Sequence, residues 1–288
     1  SRPGPRAAAA AASCRRCQHA RSMGGTPAKE YSLLHPELPD AVLHDVVQPQ
    51  LHSALASGDL AVLRSLARHE FEDVYSVPLL RPRACERLRD EAEARRAWCR
   101  ARGLQSPGLL LGARWYPRSM DRRYDAFFER LLRGALRPLD AALYGEAAPL
   151  AHHHDYCICY EEGADRALKP HTDDSDLTVN VFLGSSGAPH EGAELLLLAP
   201  TEEDTRCGTP RLDRFAGASR RYRHEEVGRA VLHPGDRWHA VQPLQSRHAR
   251  GCRWNFLMWA LRDDRDWKST FYSEMEEHLR EKAALPCH

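Results

Sequence analysis

The stretch of sequence that decides the fold reads Lys169-Pro170-His171-Thr172-Asp173-Asp174-Ser175-Asp176-Leu177-Thr178-Val179-Asn180-Val181-Phe182-Leu183. Its second half is apolar and β-branched, which predicts a strand. Its first half carries a His-x-Asp pattern, and side chains two residues apart on an extended backbone share a face. His171 and Asp173 are therefore expected to hold a metal ion together. Asp174 and Asp176 compete with Asp173, but both lie at the wrong spacing to share the face of His171.

A third metal ligand is expected further along the chain. Two histidines and one carboxylate form the donor set of non-haem Fe(II) oxygenases, in which three coordination positions stay open. His239, which follows the turn-like Pro234-Gly235-Asp236, is the first candidate. His233, before that turn, is its rival.

An arginine near the end of the chain is a candidate anchor for a carboxylate. Arg253 begins an apolar segment that runs to Trp259, and a guanidinium that points inward there needs a partner. Its planar group matches a carboxylate in bidentate fashion. A dicarboxylate that chelates a metal through its 2-oxo acid end would present its second carboxylate to such a residue. The alternative is an arginine at an exposed strand end.

Length and composition bound the class of protein. The 288 residues are 42% hydrophobic and 28% charged, which allows a sizeable core. The formal net charge is +1, so charge gives no argument for a nucleic-acid partner or an anionic membrane surface. No apolar run approaches the roughly 20 residues of a membrane span. The nine cysteines follow no repeating pattern and are predicted to be reduced thiols.

Composition divides the chain into four predicted segments. Residues 1–30 are rich in Ala and Arg and are expected to be a disordered or targeting segment. If residues 1–22 are a transit peptide the protein is organellar, and otherwise it is expected to be cytoplasmic. Residues 31–150 are predicted to be a helical support region, residues 151–262 a strand-rich domain, and residues 263–288 a C-terminal helix.

Hydrophobic periodicity gives the predicted elements of the two central segments. In the first segment we expect helices over 49–69, with a break near Ser57-Gly58, over 82–102 and over 121–143, a strand over 71–77 and a loop over 103–117. In the second we expect strands over 155–160, 178–183, 194–198, 221–227, 229–232, 238–244 and 253–261. Short strands at this spacing favour a β-barrel or sandwich, of which the jelly roll is one. The predicted fold class is α+β.

Two cysteine- or histidine-rich stretches are not predicted to be sites. Cys14-x-x-Cys17 lies in the basic N-terminal segment and is interpreted as two free thiols. His152-His153-His154 precedes Asp155, Cys157 and Cys159, but three consecutive histidines cannot all face one point on a strand. We interpret this stretch as a polar loop that enters a strand.

Several motifs together resemble a known family. They are His171-Thr172-Asp173, Leu177-Thr178-Val179-Asn180-Val181, Glu191-Gly192-Ala193-Glu194-Leu195, Leu232-His233-Pro234-Gly235, His239 and Arg253-Trp254-Asn255. The set is similar to the prolyl/lysyl-hydroxylase branch of the 2-oxoglutarate- and Fe(II)-dependent dioxygenases, and within it to the 2-oxoglutarate and iron-dependent oxygenase domain-containing protein 2 group. The resemblance is clear over residues 154–262 and weaker over residues 71–150.

The resemblance implies a double-stranded β-helix that hydroxylates a C–H bond and releases succinate and CO2. It implies Fe(II) as the metal, 2-oxoglutarate as co-substrate, L-ascorbate as reductant, and a protein or peptide side chain as substrate. The residues it would place at the site are His171, Asp173 and His239 for the metal, and Arg253, Tyr160 and Asn180 for 2-oxoglutarate.

One departure from the family and two other functions stay open. Arg253 lies fourteen positions after His239, further than is usual in this branch, which we interpret as a longer hairpin loop. Arg250, within that loop, is the rival anchor. The other functions are a redox-neutral, cupin-like metal enzyme and a non-catalytic binding module on the same barrel.

Overall fold

The computed structural model describes residues 31–102, 114–145, 148–161, 166–187, 190–206, 208–246 and 251–262. The predicted N-terminal segment and the predicted C-terminal helix lie outside these residues, as do Cys14, Cys17 and Arg250. The elements named below all belong to the unit that begins at Leu33.

Most of the helices lie in the first half of the chain, and Glu202–Thr205 lies between two later strands. They are α1 (Leu43–Val46), α2 (Pro49–Ser57), α3 (Leu60–Ser65), α4 (Pro82–Arg100), α5 (Pro117–Met120), α6 (Arg123–Leu131), α7 (Arg137–Tyr144) and α8 (Glu202–Thr205). The break predicted near Ser57-Gly58 is confirmed, because Gly58 ends α2 with a left-handed φ of 67°. Asp59 then caps α3 by accepting hydrogen bonds from the backbone of Ala61 and Val62. In the described ranges no helix combines the length and apolar character needed to cross a bilayer.

The helix predicted over 121–143 is present, with a π-helical turn in its middle. Residues Leu132–Leu136 form this turn between α6 and α7, just before Pro138, which has no N–H to offer the helical ladder. Gly134 lies in the turn. A Cβ atom there would lie 2.2 Å from Cδ1 of Leu43, so the absence of a side chain lets α1 approach closely.

The strands form two larger antiparallel sheets and a two-stranded ribbon. They are β1 (Arg68–Phe71), β2 (Val74–Pro78), β3 (Arg114–Trp115), β4 (His152–Glu161), β5 (Leu168–His171), β6 (Leu177–Ser186), β7 (His190–Glu191), β8 (Leu195–Ala199), β9 (Ala218–Tyr222), β10 (Arg229–His233), β11 (His239–Val241), β12 (Gln245–Ser246) and β13 (Cys252–Leu261). The fold is therefore α+β, as predicted.

The seven-stranded sheet has the order β1-β2-β10-β6-β13-β4-β3. Strand β13 lies between β6 and β4, and it pairs with β4 from Cys252 opposite Glu161 to Leu261 opposite His152. Helices cover one face of this sheet, and a second apolar cluster lies on the other face. Because β13 is buried on both faces, its sequence is almost continuously apolar, as expected for a strand covered on both sides.

The four-stranded sheet has the order β5-β11-β8-β9. In the pairing of β11 with β5, His239 lies directly opposite His171. Two histidines that are 68 positions apart in the sequence are thus neighbours across two strands.

Several predicted boundaries were wrong. The single strand predicted over 71–77 is a hairpin of β1 and β2, with Glu72 at its turn in a left-handed conformation (φ 46°). The predicted helix over 49–69 is too long, because β1 begins at Arg68. The loop predicted over 103–117 contains β3. Residues 31–150 are therefore not only a helical layer, since three of their strands join the seven-stranded sheet.

Two strands of the small sheet were also placed imperfectly. The strand predicted over 221–227 is β9, which ends at Tyr222. A turn follows, in which the backbone N–H of Arg229 donates to the carbonyl of Glu226 (3.1 Å). The strand predicted over 238–244 shortens to β11. The stretch His152-His153-His154 is not a loop but the buried start of β4.

Packing of α6 on β13 gives a prediction about stability. Phe128 and Phe256 are fully buried and their rings stack with centroids 4.8 Å apart. Phe256→Ala is expected to lower the free energy of unfolding by about 3–5 kcal/mol, because it removes buried apolar area and leaves a cavity. Urea denaturation followed by circular dichroism measures this.

The control is Val62→Ala, whose side chain is 42% exposed and which should change the free energy of unfolding by no more than about 0.5 kcal/mol. A loss of less than about 1 kcal/mol in Phe256→Ala would contradict the packing of α6 on β13.

Candidate metal centre

Three side chains meet between the four-stranded sheet and the face of the seven-stranded sheet that the helices do not cover. His171 ends β5, Asp173 follows two residues later, and His239 begins β11. One potential ligand atom from each of the three lies within 4.8 Å of the others. Nε2 of His171 is 3.5 Å from Oδ1 of Asp173, and Nε2 of His239 is 3.6 Å from Oδ2 of the same carboxylate. The structure thus brings together the three residues predicted from the sequence.

Both imidazoles are held in a suitable orientation by backbone carbonyls two residues earlier in the chain. Nδ1 of His171 is 2.8 Å from the carbonyl oxygen of Lys169, and Nδ1 of His239 is 2.9 Å from that of Arg237. A carbonyl can only accept, so each Nδ1 carries the proton and donates. Each Nε2 is then left with a free lone pair directed at the carboxylate and at the space between the rings, as in metal-binding histidines.

Asp173 is fixed through both its carboxylate and its backbone. The hydroxyl of Thr178 donates to its Oδ2 at 2.7 Å. The backbone N–H of Asp173 donates to the carbonyl of Gly235 at 2.8 Å. A Cβ atom on Gly235 would lie only 1.8 Å from the carbonyl oxygen of Ser175, so the turn before β11 and the loop after β5 fit together only because residue 235 is glycine.

The electrostatics of the cluster favour ligand forms of these groups. Burial acts to raise the pKa of Asp173, but its close contacts with the imidazoles of His171, His239 and His233 outweigh burial, and the pKa falls well below its usual range. Burial, helped by the neighbouring His233, lowers the pKa of His239 to about 3. At neutral pH the site therefore holds an ionised carboxylate beside a neutral imidazole of His239. Such nitrogen and oxygen donors suit Fe(II) and other divalent transition metals.

The rival ligands do not belong to the cluster. Asp174 and Asp176 are exposed, and Asp176 accepts a hydrogen bond from the backbone of Arg262. His233 is fully buried and its ring centroid lies 4.7 Å from that of His239. Its Nδ1 donates to the carbonyl of Pro234 (2.8 Å), and its Nε2 has no hydrogen-bond partner within the described part of the chain. His233 thus packs against the cluster without being grouped with it.

The stretch His152–Cys159 makes no second cluster of this kind. His153 and Asp155 hydrogen-bond to each other on one face of β4, while His154 packs among Tyr116, Tyr156 and Trp259 on the other. Within the ranges that the structure covers, His171, Asp173 and His239 are the only group of three or more such side chains close enough to hold one ion.

Arg253 points into the interior of the fold. Its side chain is buried, and its Nε donates to Oδ1 of Asn255 at 3.0 Å. Asn255 in turn donates through Nδ2 to Oδ1 of Asn180 at 2.6 Å. No carboxylate of the described residues comes within ion-pair distance of Arg253, and burial lowers its pKa to about 10. The alternative of an exposed strand end is therefore wrong.

The guanidinium of Arg253 lies at the wall of a cavity of about 390 Å³, which Phe182, Glu194 and His224 also line. Its carbon atom is 5.8 Å from the ring centroid of Tyr160 and 5.9 Å from that of Phe182. Three alternate positions on β6 share one face: Thr178, which donates to Asp173, then Asn180 and then Phe182. These positions span about 13 Å along the strand. One face of β6 therefore leads from the metal cluster to Arg253.

Sequence reasoning missed three residues of this inner face. Thr178 and Asn255 both belong to the motifs that resemble the family. Thr178 lies two residues before Asn180, and Asn255 lies two residues after Arg253. The alternation of side chains along a strand would therefore have placed each on the same face as that predicted site residue. The third is Arg114 on the edge strand β3, whose guanidinium lies 4.7 Å above the ring of Tyr156. Nothing in the sequence around Arg114 indicates that it turns inward, because β3 has only two residues.

Comparison with known proteins finds relatives that are similar in sequence. No protein-family model matches the chain. The chain is 24% identical over 262 residues to the 2-oxoglutarate and iron-dependent oxygenase domain-containing protein CP2 of Arabidopsis thaliana, a match that covers 87% of this chain and 59% of that protein. It is 26% identical over 244 residues to the human 2-oxoglutarate and iron-dependent oxygenase domain-containing protein 2, covering 81% of this chain and 63% of that protein.

A relative from another group matches about six-tenths of the chain. The multifunctional procollagen lysine hydroxylase and glycosyltransferase LH3 of Rattus norvegicus is 27% identical over 188 residues, which is 63% of this chain and 22% of that protein. The chain spans about six-tenths of the length of the first two relatives. The predicted resemblance is confirmed: over most of its length the chain is similar to the 2-oxoglutarate and iron-dependent oxygenase domain-containing proteins.

Proposed function

We propose that this chain is an Fe(II)- and 2-oxoglutarate-dependent dioxygenase that hydroxylates a C–H bond with release of succinate and CO2. The observation that carries the proposal is the meeting of His171, Asp173 and His239 with their donor atoms free and turned toward one another. A three-ligand set of this type leaves room for a chelating co-substrate and dioxygen. Similarity to proteins named for this chemistry supports the same conclusion.

The arrangement of the sheets supports a double-stranded β-helix as the scaffold. Two antiparallel sheets carry the site between them, and the metal-binding candidates lie at the end of the small sheet. In such a barrel the interior side chains can line a ligand site, while the outer face packs on helices. The burial of the large sheet on both faces fits this organisation.

The roles of the chain's own residues follow from their contacts. His171 and His239 would each bind the metal through Nε2, with the tautomer fixed by the backbone carbonyls of Lys169 and Arg237. Asp173 would bind through a carboxylate that Thr178 orients. With iron and 2-oxoglutarate bound, a site of this class couples decarboxylation of the 2-oxo acid to oxidation of a C–H bond, and L-ascorbate is the expected reductant of the metal.

Arg253 is the proposed anchor for the distal carboxylate of 2-oxoglutarate. Its Nε is occupied by Asn255, which sets the plane of the guanidinium and leaves the two terminal nitrogens for bidentate binding. Asn180 holds Asn255, and Tyr160 lies against the guanidinium. A buried cation without an ion-pair partner is unfavourable unless a ligand supplies the counter-charge.

A protein or peptide side chain is the proposed substrate class. The side chain of His171 is 30% exposed, whereas those of Asp173 and His239 are 1% and 5% exposed. The site thus opens at the His171 side, where a side chain carried on a peptide can reach it. The relative that is named a procollagen lysine hydroxylase supports this class.

Release of succinate from 2-oxoglutarate tests the metal ligands. With Fe(II), ascorbate and dioxygen, wild-type protein should form succinate, and Asp173→Ala should lower the rate by at least about 100-fold because it removes a direct ligand. Asp174→Ala is the matched control, since it removes the exposed neighbouring carboxylate, and should keep the wild-type rate. Succinate is measured by coupled assay or mass spectrometry.

Absence of succinate from metal-loaded wild-type protein would contradict the dioxygenase proposal. It would favour a redox-neutral metal enzyme or a binding module instead. An equal loss in Asp173→Ala and Asp174→Ala would contradict the assignment of the ligands.

The affinity for 2-oxoglutarate tests the anchor. Arg253→Leu is expected to raise the Kd for 2-oxoglutarate by at least about tenfold, because a bidentate charge-assisted contact is lost. Isothermal titration under anaerobic conditions, with Mn(II) in place of Fe(II), measures binding without turnover. Arg250→Leu serves as the control and should bind as the wild type does. The reverse pattern would transfer the role to Arg250.

A further inference from the structure

His224 lines the same cavity as Arg253 but belongs to a different part of the fold. It lies in the segment 223–228, between the end of β9 in the four-stranded sheet and the start of β10 in the seven-stranded sheet. The backbone N–H of Gly228 donates to the carbonyl of Phe182 at 2.8 Å, which holds this segment against β6. The cavity therefore has one wall from β13 and another from the link between the two sheets.

Two aromatic rings position the imidazole of His224. The ring centroid of Tyr222 lies 5.0 Å from that of His224 in an edge-to-face arrangement, and the ring centroid of Phe182 lies 5.8 Å away. The ring of Phe182 also lies near the guanidinium of Arg253, whose carbon atom is 5.9 Å from its centroid. Phe182 thus lies beside both the imidazole and the guanidinium at the wall of the cavity.

The ring nitrogens of His224 have no hydrogen-bond partner among the described residues, although both atoms are buried. Buried polar atoms in native proteins are almost always hydrogen-bonded, so an imidazole without partners at the wall of a cavity indicates a ligand. Since no group of the described chain selects the tautomer of His224, either nitrogen can carry the proton and donate it to that ligand.

The imidazole of His224 is uncharged at neutral pH in the free protein. Burial and the nearby charge of Arg253 both lower its pKa well below the usual range of a histidine. A neutral imidazole does not repel the guanidinium, and its N–H is a hydrogen-bond donor. The two side chains therefore offer one positive charge and one neutral donor to the same cavity.

The carboxylates at the wall of the cavity do not occupy these donors. Glu194 accepts a hydrogen bond from the side-chain amide of Gln242 at 2.7 Å, once that amide is oriented to satisfy both of its neighbours. Glu225 also lines the cavity, but it is exposed. Neither carboxylate is a hydrogen-bond partner of His224. An anionic ligand would thus meet an imidazole whose N–H is not already used.

We infer that His224 is a second anchor beside Arg253 and donates a hydrogen bond to the distal carboxylate of 2-oxoglutarate. The inference rests on the proposed function, because it takes 2-oxoglutarate as the occupant of this cavity. The guanidinium would bind the carboxylate from β13, and the imidazole would bind it from the segment 223–228. A 2-oxo acid without a distal carboxylate would gain nothing from His224, so this residue would help to select a dicarboxylate.

A comparison of two ligands tests the inference. One is 2-oxoglutarate, and the other is 2-oxopentanoate, in which a methyl group replaces the distal carboxylate. His224→Phe keeps an aromatic ring beside Tyr222 and Phe182 but removes the donor. It should raise the Kd for 2-oxoglutarate by about tenfold, because a hydrogen bond to a charged group is lost, and should change the Kd for 2-oxopentanoate by less than about twofold. Anaerobic calorimetric titration of the full chain with Mn(II) bound measures both constants.

Two further variants complete the comparison. In His224→Gln the side-chain amide can again donate, so the Kd for 2-oxoglutarate should return to within about threefold of the wild-type value. His44→Phe replaces an exposed histidine on α1 and should bind both ligands as the wild type does. Unchanged binding of 2-oxopentanoate by His224→Phe would also show that this variant is folded.

Three outcomes would overturn the inference. If His224→Phe binds 2-oxoglutarate as tightly as the wild type while Arg253→Leu binds it weakly, His224 is not an anchor and the proposed function stands. If His224→Phe weakens both ligands equally, the residue acts through packing and not through the distal carboxylate. If the metal-loaded wild type binds neither ligand, the proposed function fails and this inference fails with it.

Discussion

The antiparallel register between β5 and β11 is the constraint on which the centre of this structure depends. It sets His239 opposite His171 and so converts two distant histidines into one pair. The turn before β11 then contacts the loop after β5, through the hydrogen bond from Asp173 to Gly235. A shift of one residue in this pairing would turn one imidazole to the other face of the sheet. The close fit of Gly235 against Ser175 opposes such a shift.

The interior charges follow from this geometry. Asp173 is buried between two imidazoles and accepts from Thr178, so the carboxylate is stable as an anion in a place where burial alone would disfavour it. Arg253 is buried, and no carboxylate of the described residues lies within ion-pair distance of it. An interior in which one face of β6 leads from a three-ligand cluster to a buried cation suits an anionic ligand that bridges them.

Much of this could be predicted from the sequence, because the signals were local. His171 and Asp173 share a face through simple alternation, and the long, buried β13 gave a long apolar run. The failures came from elements without such a pattern. The edge strands β1 and β9 carry charged, exposed side chains, as edge strands often do. The sequence prediction therefore merged β1 with β2 and placed β9 too far along the chain. The hydrogen bond from Thr178 and the support of Arg253 by Asn255 depend on contacts between strands, which a pattern along one strand does not contain.

The central claim is that a metal held by the three residues chelates 2-oxoglutarate. Its most direct test is the visible charge-transfer absorption that appears when Fe(II) and 2-oxoglutarate are added together without oxygen. The account predicts a band in the wild type, its loss in His239→Ala, and its retention in His233→Ala, which replaces the buried imidazole beside the cluster. A wild-type protein that binds Fe(II) and shows no band would contradict the account, as would a band that depends on His233 and not on His239.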